Sequence, residues 1–264
     1  MDLKLTNKIA LVTGSTSGIG YATAKSLAQE GVEVILNGRK QESLEKAVKR
    51  LKSEVGGAKV SGIAADFAIA EEVDGLIKLL PEIDILINNV GIYSSTSFYE
   101  TSDDEWFRHF EVNVMSGVRL SRAILPKMLE RNWGRIIFIS SECATLVPED
   151  LIAYSMTKTA LLSISRGLAQ LCKGTEVTVN SVLPGSTLTE GAESFLEALA
   201  EKEGTSVQEA EANFFTNIRT SSLLARFAKV EEVASTIAYL CSPLAVATNG
   251  ASIKVDGGSM GGIM

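Results

Sequence analysis

Apolar residues fall along this chain in short, nearly unbroken runs, and between those runs the spacing becomes helical. Lys8–Thr13, Val32–Leu36, Val60–Ala65, Ile83–Ile87, Gly134–Ser140 and Val177–Val182 are the runs. Segments of this length without polar alternation predict strands buried on both faces. The intervening stretches carry helix patterns and helix stops. An Ala-rich segment ends before Gly31, Gln41–Val55 is amphipathic and stops at Gly56-Gly57, Glu71–Leu80 stops at Pro81, and Ile152–Cys172 closes at Gly174. Ser102-Asp-Asp-Glu105 has capping-box spacing and predicts one long helix from there to about Arg131. Strands alternating with helices predict a parallel sheet covered on both faces, a doubly wound α/β fold. Small and polar residues gather at the strand-to-helix junctions, where such folds bind ligand.

Composition narrows this picture. At 264 residues and 45% hydrophobic, residues 1–264 are expected to form a single domain with a substantial core. A net charge of −7 and the lack of any Lys/Arg run argue against nucleic-acid binding. Cys143, Cys172 and Cys241 are odd in number and lack metal-like spacing, so neither a disulfide framework nor a metal site is expected. Met1-Asp2-Leu3-Lys4 precedes only a short apolar run, which predicts neither a signal peptide nor a membrane span. A cytoplasmic protein is the expectation.

Three junctions carry candidate chemistry. Gly14-Ser-Thr-Ser-Gly18-Ile-Gly20 joins the first strand to the first helix, bringing bare N–H groups and a positive helix end to one place. That arrangement suits a phosphate. After the second strand comes Asn37-Gly38-Arg39-Lys40, with a basic pair where an acidic residue would take a ribose 2′-hydroxyl. An Arg there suits a 2′-phosphate, which favours NADP(H) and leaves NAD(H) admissible. The third feature is Tyr154-Ser-Met-Thr-Lys158, preceded by Ser140-Ser141. Tyr and Lys at i and i+4 share a helix face. At about 4 Å and an effective dielectric of about 20, the ammonium favours the phenolate by roughly 4 kcal/mol, or about three pKa units. A phenol titrating near neutrality would serve as general acid or base. Asn113 sits mid-helix, where Asn is a poor helix former. His109, the single histidine, is given no role.

Taken together these residues resemble the short-chain dehydrogenase/reductase family, in its 3-oxoacyl-reductase-like branch. Thr13-Gly14-Ser-Thr-Ser-Gly18-Ile-Gly20 is similar to the family's TGxxxGIG turn, and Asn88-Asn89-Val90-Gly91 to its NNAG, with Val for Ala. Ser141, Tyr154 and Lys158 match its Ser and YxxxK, and Asn113 falls at its helix asparagine. Pro184-Gly185 resembles its PG turn, and Val255-Asp256-Gly257-Gly258 its last strand and turn. The resemblance implies a doubly wound, Rossmann-type three-layer sandwich with a seven-stranded parallel sheet. It implies catalysis by Asn113, Ser141, Tyr154 and Lys158: Tyr154 transfers the proton, Ser141 binds the reacting oxygen, Lys158 holds the nicotinamide ribose and lowers the Tyr pKa, and Asn113 seats a relay water. It also implies a nicotinamide cofactor on Gly14, Ser15, Thr16, Ser17, Gly18, Ile19, Gly20, Asn37, Arg39, Asp66, Asn89, Val90, Gly91, Tyr154, Lys158, Pro184, Gly185 and Thr187. In the family, Asp66 reaches the adenine and Asn89 the adenosine side.

The implied substrate is a ketone or secondary alcohol of moderate size. The alternative is a 3-oxoacyl carrier-protein reductase, for which Lys127, Arg131, Arg135 and Lys173 could meet an acidic partner. Against that stand Glu190, Glu193, Glu197, Glu201 and Glu203, which would repel it. A non-catalytic nucleotide-binding scaffold is the third class, one with no use for a proton donor. The resemblance further implies a homotetramer pairing the helices near 103–131 and 152–173, with the C-terminal strand as the other contact.

Residues of about 186–226 are the expected substrate lid. Ala192, Phe195, Leu196 and Leu199 have helical apolar spacing, and Ser206-Val-Gln-Glu209 is a second capping box before Phe214, Phe215 and Ile218. The sequence leaves open whether these apolar faces cover a substrate or complete the core.

Overall fold

In the computed structural model, which describes residues 1–262, the apolar runs are the strands of one parallel sheet. They are β1 (Ile9–Val12), β2 (Glu33–Gly38), β3 (Val60–Ala64), β4 (Ile85–Asn88), β5 (Gly134–Ile139), β6 (Val177–Pro184) and a C-terminal strand (Ser252–Val255), in the order β3-β2-β1-β4-β5-β6 and then the C-terminal strand. Side chains alternate between faces along each strand. Ala10, Val12, Ile85 and Ile87 therefore enter one core with Leu27, Leu44 and Ile237, whereas Leu11 and Leu86 enter the other with Leu76, Leu120 and Leu161. The first core is covered by α1 (Gly18–Gln29), α2 (Gln41–Glu54) and a helix at Val230–Cys241; the second by α3 (Ala70–Leu79), a helix at Ser116–Glu130 and another at Ile152–Leu171. This is the expected three-layer, seven-stranded sandwich.

Strand order reverses between β1 and β4, so their carboxyl ends open a crevice, the usual ligand position in such sheets. β2 runs two residues beyond its apolar stretch, which places Asn37 and Gly38 inside the sheet at that crevice.

The long helix expected over 103–131 is instead three pieces: α4 (Asp103–Phe110), a π turn (Glu111–Met115) and α5 (Ser116–Glu130). Asn113 lies in the π turn, with its amide bonded outside the helix. Its poor helix propensity is met by a local widening of the kind often found at functional sites. The Ser102 box is half formed. Ser102 Oγ accepts from the Glu105 N–H, but the Glu105 carboxylate accepts from Ser94 Oγ at 2.9 Å and so ties the loop after β4 to α4. His109 is buried on α4, its Nδ1 2.9 Å from the Glu105 carbonyl oxygen.

A short α6 (Cys143–Leu146) precedes α7 (Ile152–Leu171). Beyond β6, β7 (Thr187–Leu188) begins the segment expected to act as the lid, which continues as α8 (Glu190–Glu203) and α9 (Val207–Asn217). The Ser206–Glu209 box is complete. β8 (Ala228–Lys229) pairs with β7 in parallel and returns the chain to α10 (Val230–Cys241) and β9 (Ser252–Val255). Leu196, Phe214, Phe215 and Phe227 give the lid its own small apolar core. No helix among the described residues is long and apolar enough to cross a membrane.

Candidate active site

The glycine turn is held by backbone geometry and by one hydroxyl. Gly14 and Gly18 have φ of +58° and +57°, which side-chain-bearing residues rarely adopt. Thr13 Oγ1 donates to the Ile87 carbonyl at 3.2 Å and accepts from the N–H groups of Asn89 (2.9 Å) and Val90 (3.1 Å). Asn89 Nδ2 donates to the carbonyls of Thr13 and Gly14, each at 2.9 Å. A Cβ on Gly20 would lie 2.5 Å from both Asn89 Nδ2 and the Gly14 carbonyl oxygen, so only glycine fits there. The first turn of α1 has no acidic residue, which leaves its positive end unneutralised.

Ser15 and Asn37 are both buried, with side chains that hydrogen-bond within the protein, and Asn37 also lines the cavity beside the turn. Ser15 Oγ donates to the Val12 carbonyl at 2.7 Å and accepts from the Asn37 N–H. Asn37 Oδ1 accepts from the Gly14 N–H, while its Nδ2 donates to the Ile63 carbonyl at 3.1 Å. They brace the turn.

Beside the turn is a cavity of about 260 Å³ lined by Gly14, Thr16, Gly38, Arg39, Asp66, Asn89, Val90 and Gly91. Arg39 is exposed there and forms no ion pair among the described residues. A Cβ on Gly38 would lie 2.5 Å from Thr16 Cγ2, so an acidic side chain at 38 has no room while Thr16 stays put. Arg108 of α4 also lines this cavity. Nothing local in the sequence marks it, because α4 meets the cavity only through the fold.

A larger cleft of about 650 Å³ continues from Ser17, Ile19, Gly20, Asn89 and Gly91 to Ser141, Tyr154 and Lys158, then to Pro184, Gly185 and Thr187. Ser140 and Ser141 follow the last residue of β5. Ser140 Oγ donates to the Lys158 carbonyl at 2.8 Å, bolting α7 to the sheet end. Lys158 Nζ donates to the Ile139 carbonyl at 2.9 Å and lies 5.4 Å from the centre of the Tyr154 ring. Asn113 Oδ1 accepts from the Ile92 N–H at 2.7 Å, and its Nδ2 donates to the Ile92 carbonyl and to Thr157 Oγ1, both at 2.9 Å. Thr157 Oγ1 in turn donates to the Tyr154 carbonyl at 2.7 Å. The π turn, the loop after β4 and α7 are thereby one unit. A Cβ on Gly91 would lie 3.2 Å from Lys158 Nζ and 3.6 Å from Asn113 Oδ1, so both groups flank the gap this glycine leaves.

The electrostatics correct the expectation of a low Tyr pKa. Burial pushes the Tyr154 phenol above its ordinary value, and a hydrogen bond with Ser141 only partly offsets that. Lys158 is itself lowered from 10.5 to about 8 by burial. The sequence estimate took the ammonium's attraction and omitted the desolvation of both groups, which is the larger effect here. The protein alone thus keeps Tyr154 protonated and makes the Lys158 ammonium easier to deprotonate.

The segment expected to be the lid supplies Phe195, Phe214 and Ile218 to the cleft, while Phe215 packs only in the small apolar core of that segment. Phe214 does both, so the two readings of these apolar faces are combined in one residue. Sequence reading missed Glu142, Asp150 and Arg219, all of which line the cleft. Glu142 adjoins Ser141 and could have been singled out. Arg219, 77 residues away, gave no signal.

Comparison with known proteins agrees with this geometry. The short chain dehydrogenase family model matches residues 8–200. An uncharacterised oxidoreductase of Bacillus subtilis, YvaG, is 50% identical over 258 residues, covering 98% of each chain. The 3-oxoacyl-[acyl-carrier-protein] reductase of Aquifex aeolicus is 32% identical, covering 98% of this chain and 99% of the relative. Among solved structures, L-sorbose reductase from Gluconobacter frateurii, complexed with NADPH and L-sorbose, matches with a TM-score of 0.93 at 32% identity over 100% of both chains. A match to the family model across most of the chain, relatives aligned end to end and a shared fold place this protein in the short-chain dehydrogenase/reductase family of oxidoreductases.

Proposed function

We propose that this protein interconverts ketones and secondary alcohols, with NADP(H) as the preferred nicotinamide cofactor. One observation carries the reading: the glycine turn and the Ser141, Tyr154 and Lys158 side chains line a single continuous cleft. The residues fit a dinucleotide. The bare positive end of α1 suits a pyrophosphate, the Cβ-free position 91 leaves a gap beside Lys158, and among the described residues Lys158 Nζ makes a single hydrogen bond, which leaves donors for a ribose.

Gly14 to Gly20 would hold the phosphates, Asp66, Asn89 and Val90 the adenosine side, and Gly91, Lys158, Pro184, Gly185 and Thr187 the nicotinamide side. When bound, the nicotinamide supplies the hydride for reduction or takes it up in oxidation. In the reducing direction Tyr154, protonated as its raised pKa requires, gives its proton to the substrate oxygen, and Ser141 donates a hydrogen bond to that oxygen. Lys158 re-supplies the proton through a water in the gap at Gly91. Asn113 holds that gap open by fixing Ile92 and Thr157.

Arg39 supports the NADP(H) preference. It is free of carboxylates among the described residues, and Thr16 denies room to an acidic group at position 38. The sorbose reductase, similar along its whole length, is a structure with NADPH. Against the carrier-protein alternative, Arg135 is fully buried and Arg131 is paired with Glu82, so neither is available to an acidic partner.

The 264 residues are read as a single domain with its lid at about 186–226. Exposed Phe107 and Phe110 on α4 and Leu171 on α7 support pairing of those helices in a homotetramer. Three buried, unpaired cysteines suit a cytoplasmic protein. The reading is tested by titrating NADPH and NADH and assaying a panel of ketones and alcohols with each. Saturable, NADPH-favoring ketone reduction is expected. Loss of all turnover with both cofactors would remove the reading.

A further inference from the structure

In the reaction proposed above the Ser141 hydroxyl meets the reacting oxygen, so the turn that carries Ser141 has to be held in place. The helix after it, α6, has only four residues and is too short to hold itself. Glu142, between the two, supplies anchors. Its N–H donates to the Pro184 carbonyl at 2.8 Å, and its carbonyl accepts from the N–H groups of Thr145 and Leu146. Its side chain is buried, and Oε1 accepts from Arg219 Nε at 3.3 Å. Burial pushes the Glu142 carboxyl above its ordinary range, while the charge of Arg219 and a hydrogen bond with Ser259 pull it back.

Arg219 and Ser259 belong to two other segments, and those two are stitched together. In the stretch after α9, Ser221 Oγ donates to the Ser259 carbonyl at 2.8 Å, and the N–H groups of Leu223 and Leu224 both donate to the Gly257 carbonyl at 2.9 Å. The Arg219 N–H donates to the Phe214 carbonyl, also at 2.9 Å. Phe214 and Ile218 line the same cleft as Ser141. The Glu142–Arg219 pair therefore joins the Ser141 turn to the segment that supplies part of the apolar lining.

Such a pair is a poor way to add stability. A buried ion pair often gains nothing over apolar side chains of similar volume, although removing one partner leaves the other charge uncompensated. What it does fix is geometry, because a hydrogen bond is directional and apolar contact is not. Building on the reductase reading, we infer that Glu142 and Arg219 are positioning residues: their ion pair sets the Ser141 hydroxyl relative to the wall formed by Phe214 and Ile218, and so governs turnover. Neither residue lines the cavity beside the glycine turn, so the grip on the nucleotide should not depend on the pair.

The test measures kcat per NADPH-binding site, NADPH affinity and melting temperature, using whichever ketone the wild type reduces fastest. The variants are Glu142→Gln, Arg219→Met, Arg219→Lys and the double variant Glu142→Leu with Arg219→Met. A misplacement of about 1 Å can cost about a hundredfold in rate, so Glu142→Gln and Arg219→Met should each lose about tenfold or more in kcat. Their NADPH dissociation constants should stay close to wild type, and Arg219→Lys, which keeps the cation, should lose less. The double variant separates positioning from folding. With both partners apolar, its melting temperature should return towards wild type, yet its kcat should stay about tenfold or more down. Recovery of kcat together with melting temperature would show that the pair only holds the fold, and would overturn the inference. A loss below about tenfold in every variant that folds, or an equal loss of NADPH affinity, would overturn it too. Should the double variant fail to fold, Glu142→Gln, nearly equal in size to the native side chain, decides by the same measures. A wild type that reduces no ketone would remove the reductase reading and this inference with it, whereas every other outcome leaves that reading standing.

Discussion

The cofactor end and the substrate end of the cleft are built in opposite ways. Around the glycine turn, polar side chains are spent inside the protein: Thr13, Ser15, Asn37 and Asn89 all hydrogen-bond backbone. What the turn offers a ligand is bare backbone and a helix end. At the substrate end the offer is made by side chains from distant segments, with Ser141 after β5, Arg219 after α9 and the phenylalanines of the lid. A backbone-built site tolerates almost no added atom. A side-chain-built site can be retuned one residue at a time.

The sharpest way to break that comparison is one methyl group on the cofactor side. In a helix Gly→Ala normally stabilises by up to about 1 kcal/mol. At Gly20 the new Cβ would press on Asn89 Nδ2 and the Gly14 carbonyl at 2.5 Å, an overpacking that costs about 1–3 kcal/mol. Gly20→Ala should therefore weaken NADPH binding by up to about a hundredfold, measured by fluorescence titration. Unchanged affinity would show that the turn has slack.

Lys158→Met isolates the cost of placing a charge in the cleft. The lowering from 10.5 to about 8 corresponds to about 3 kcal/mol of destabilisation in the cofactor-free protein. The sign follows from proton linkage. Between about pH 8 and 10.5 the unfolded chain binds the proton and the folded chain does not, so wild-type stability from this group rises with pH across that window. The Met variant should lose turnover. At pH 7 it should melt higher than wild type by about 1–3 kcal/mol, the lost hydrogen bond to Ile139 taking part of the gain. That advantage should shrink towards pH 10.5 in chemical denaturation series. A variant less stable than wild type at pH 7 would mean the ammonium is well solvated.

Arg39→Ala should reduce NADPH affinity about tenfold or more, the worth of one charge-assisted hydrogen bond, and leave NADH affinity nearly unaltered. Equal losses for both nucleotides would make Arg39 a surface charge. The smallest effect is expected at the lid. Phe195 is half exposed and touches Phe214 edge-on at 5.9 Å, so Phe195→Ala should raise KM for bulky ketones by a few-fold, about 1 kcal/mol, with less effect on small ones. Equal changes together with a lower melting temperature would assign it to the lid core.

The same contrast governs what the sequence discloses. Strands buried on both faces announce themselves as apolar runs, and the glycine turn and the Tyr–Lys pair are local patterns with a local physical cause. The π turn was not legible, because it depends on Asn113 finding Ile92 and Thr157 across the fold. Arg135 read as a surface charge, yet it is buried with its guanidinium on the carbonyls of Gly134 and Glu176. The direction of the Tyr154 pKa was missed because desolvation depends on burial, which spacing along a helix does not report. Glu142 and Arg219 meet only through the lid.

Proton transfer from Tyr154 in a cleft whose nucleotide site is otherwise independent of the phenol is the central claim. Its most direct test is Tyr154→Phe, with kcat and NADPH affinity measured on the same preparation. The account predicts that kcat falls to the background while the NADPH dissociation constant stays within a few-fold of wild type. Retention of more than about a tenth of wild-type kcat, a loss below about 1.4 kcal/mol, would contradict the assignment of Tyr154 as the proton donor.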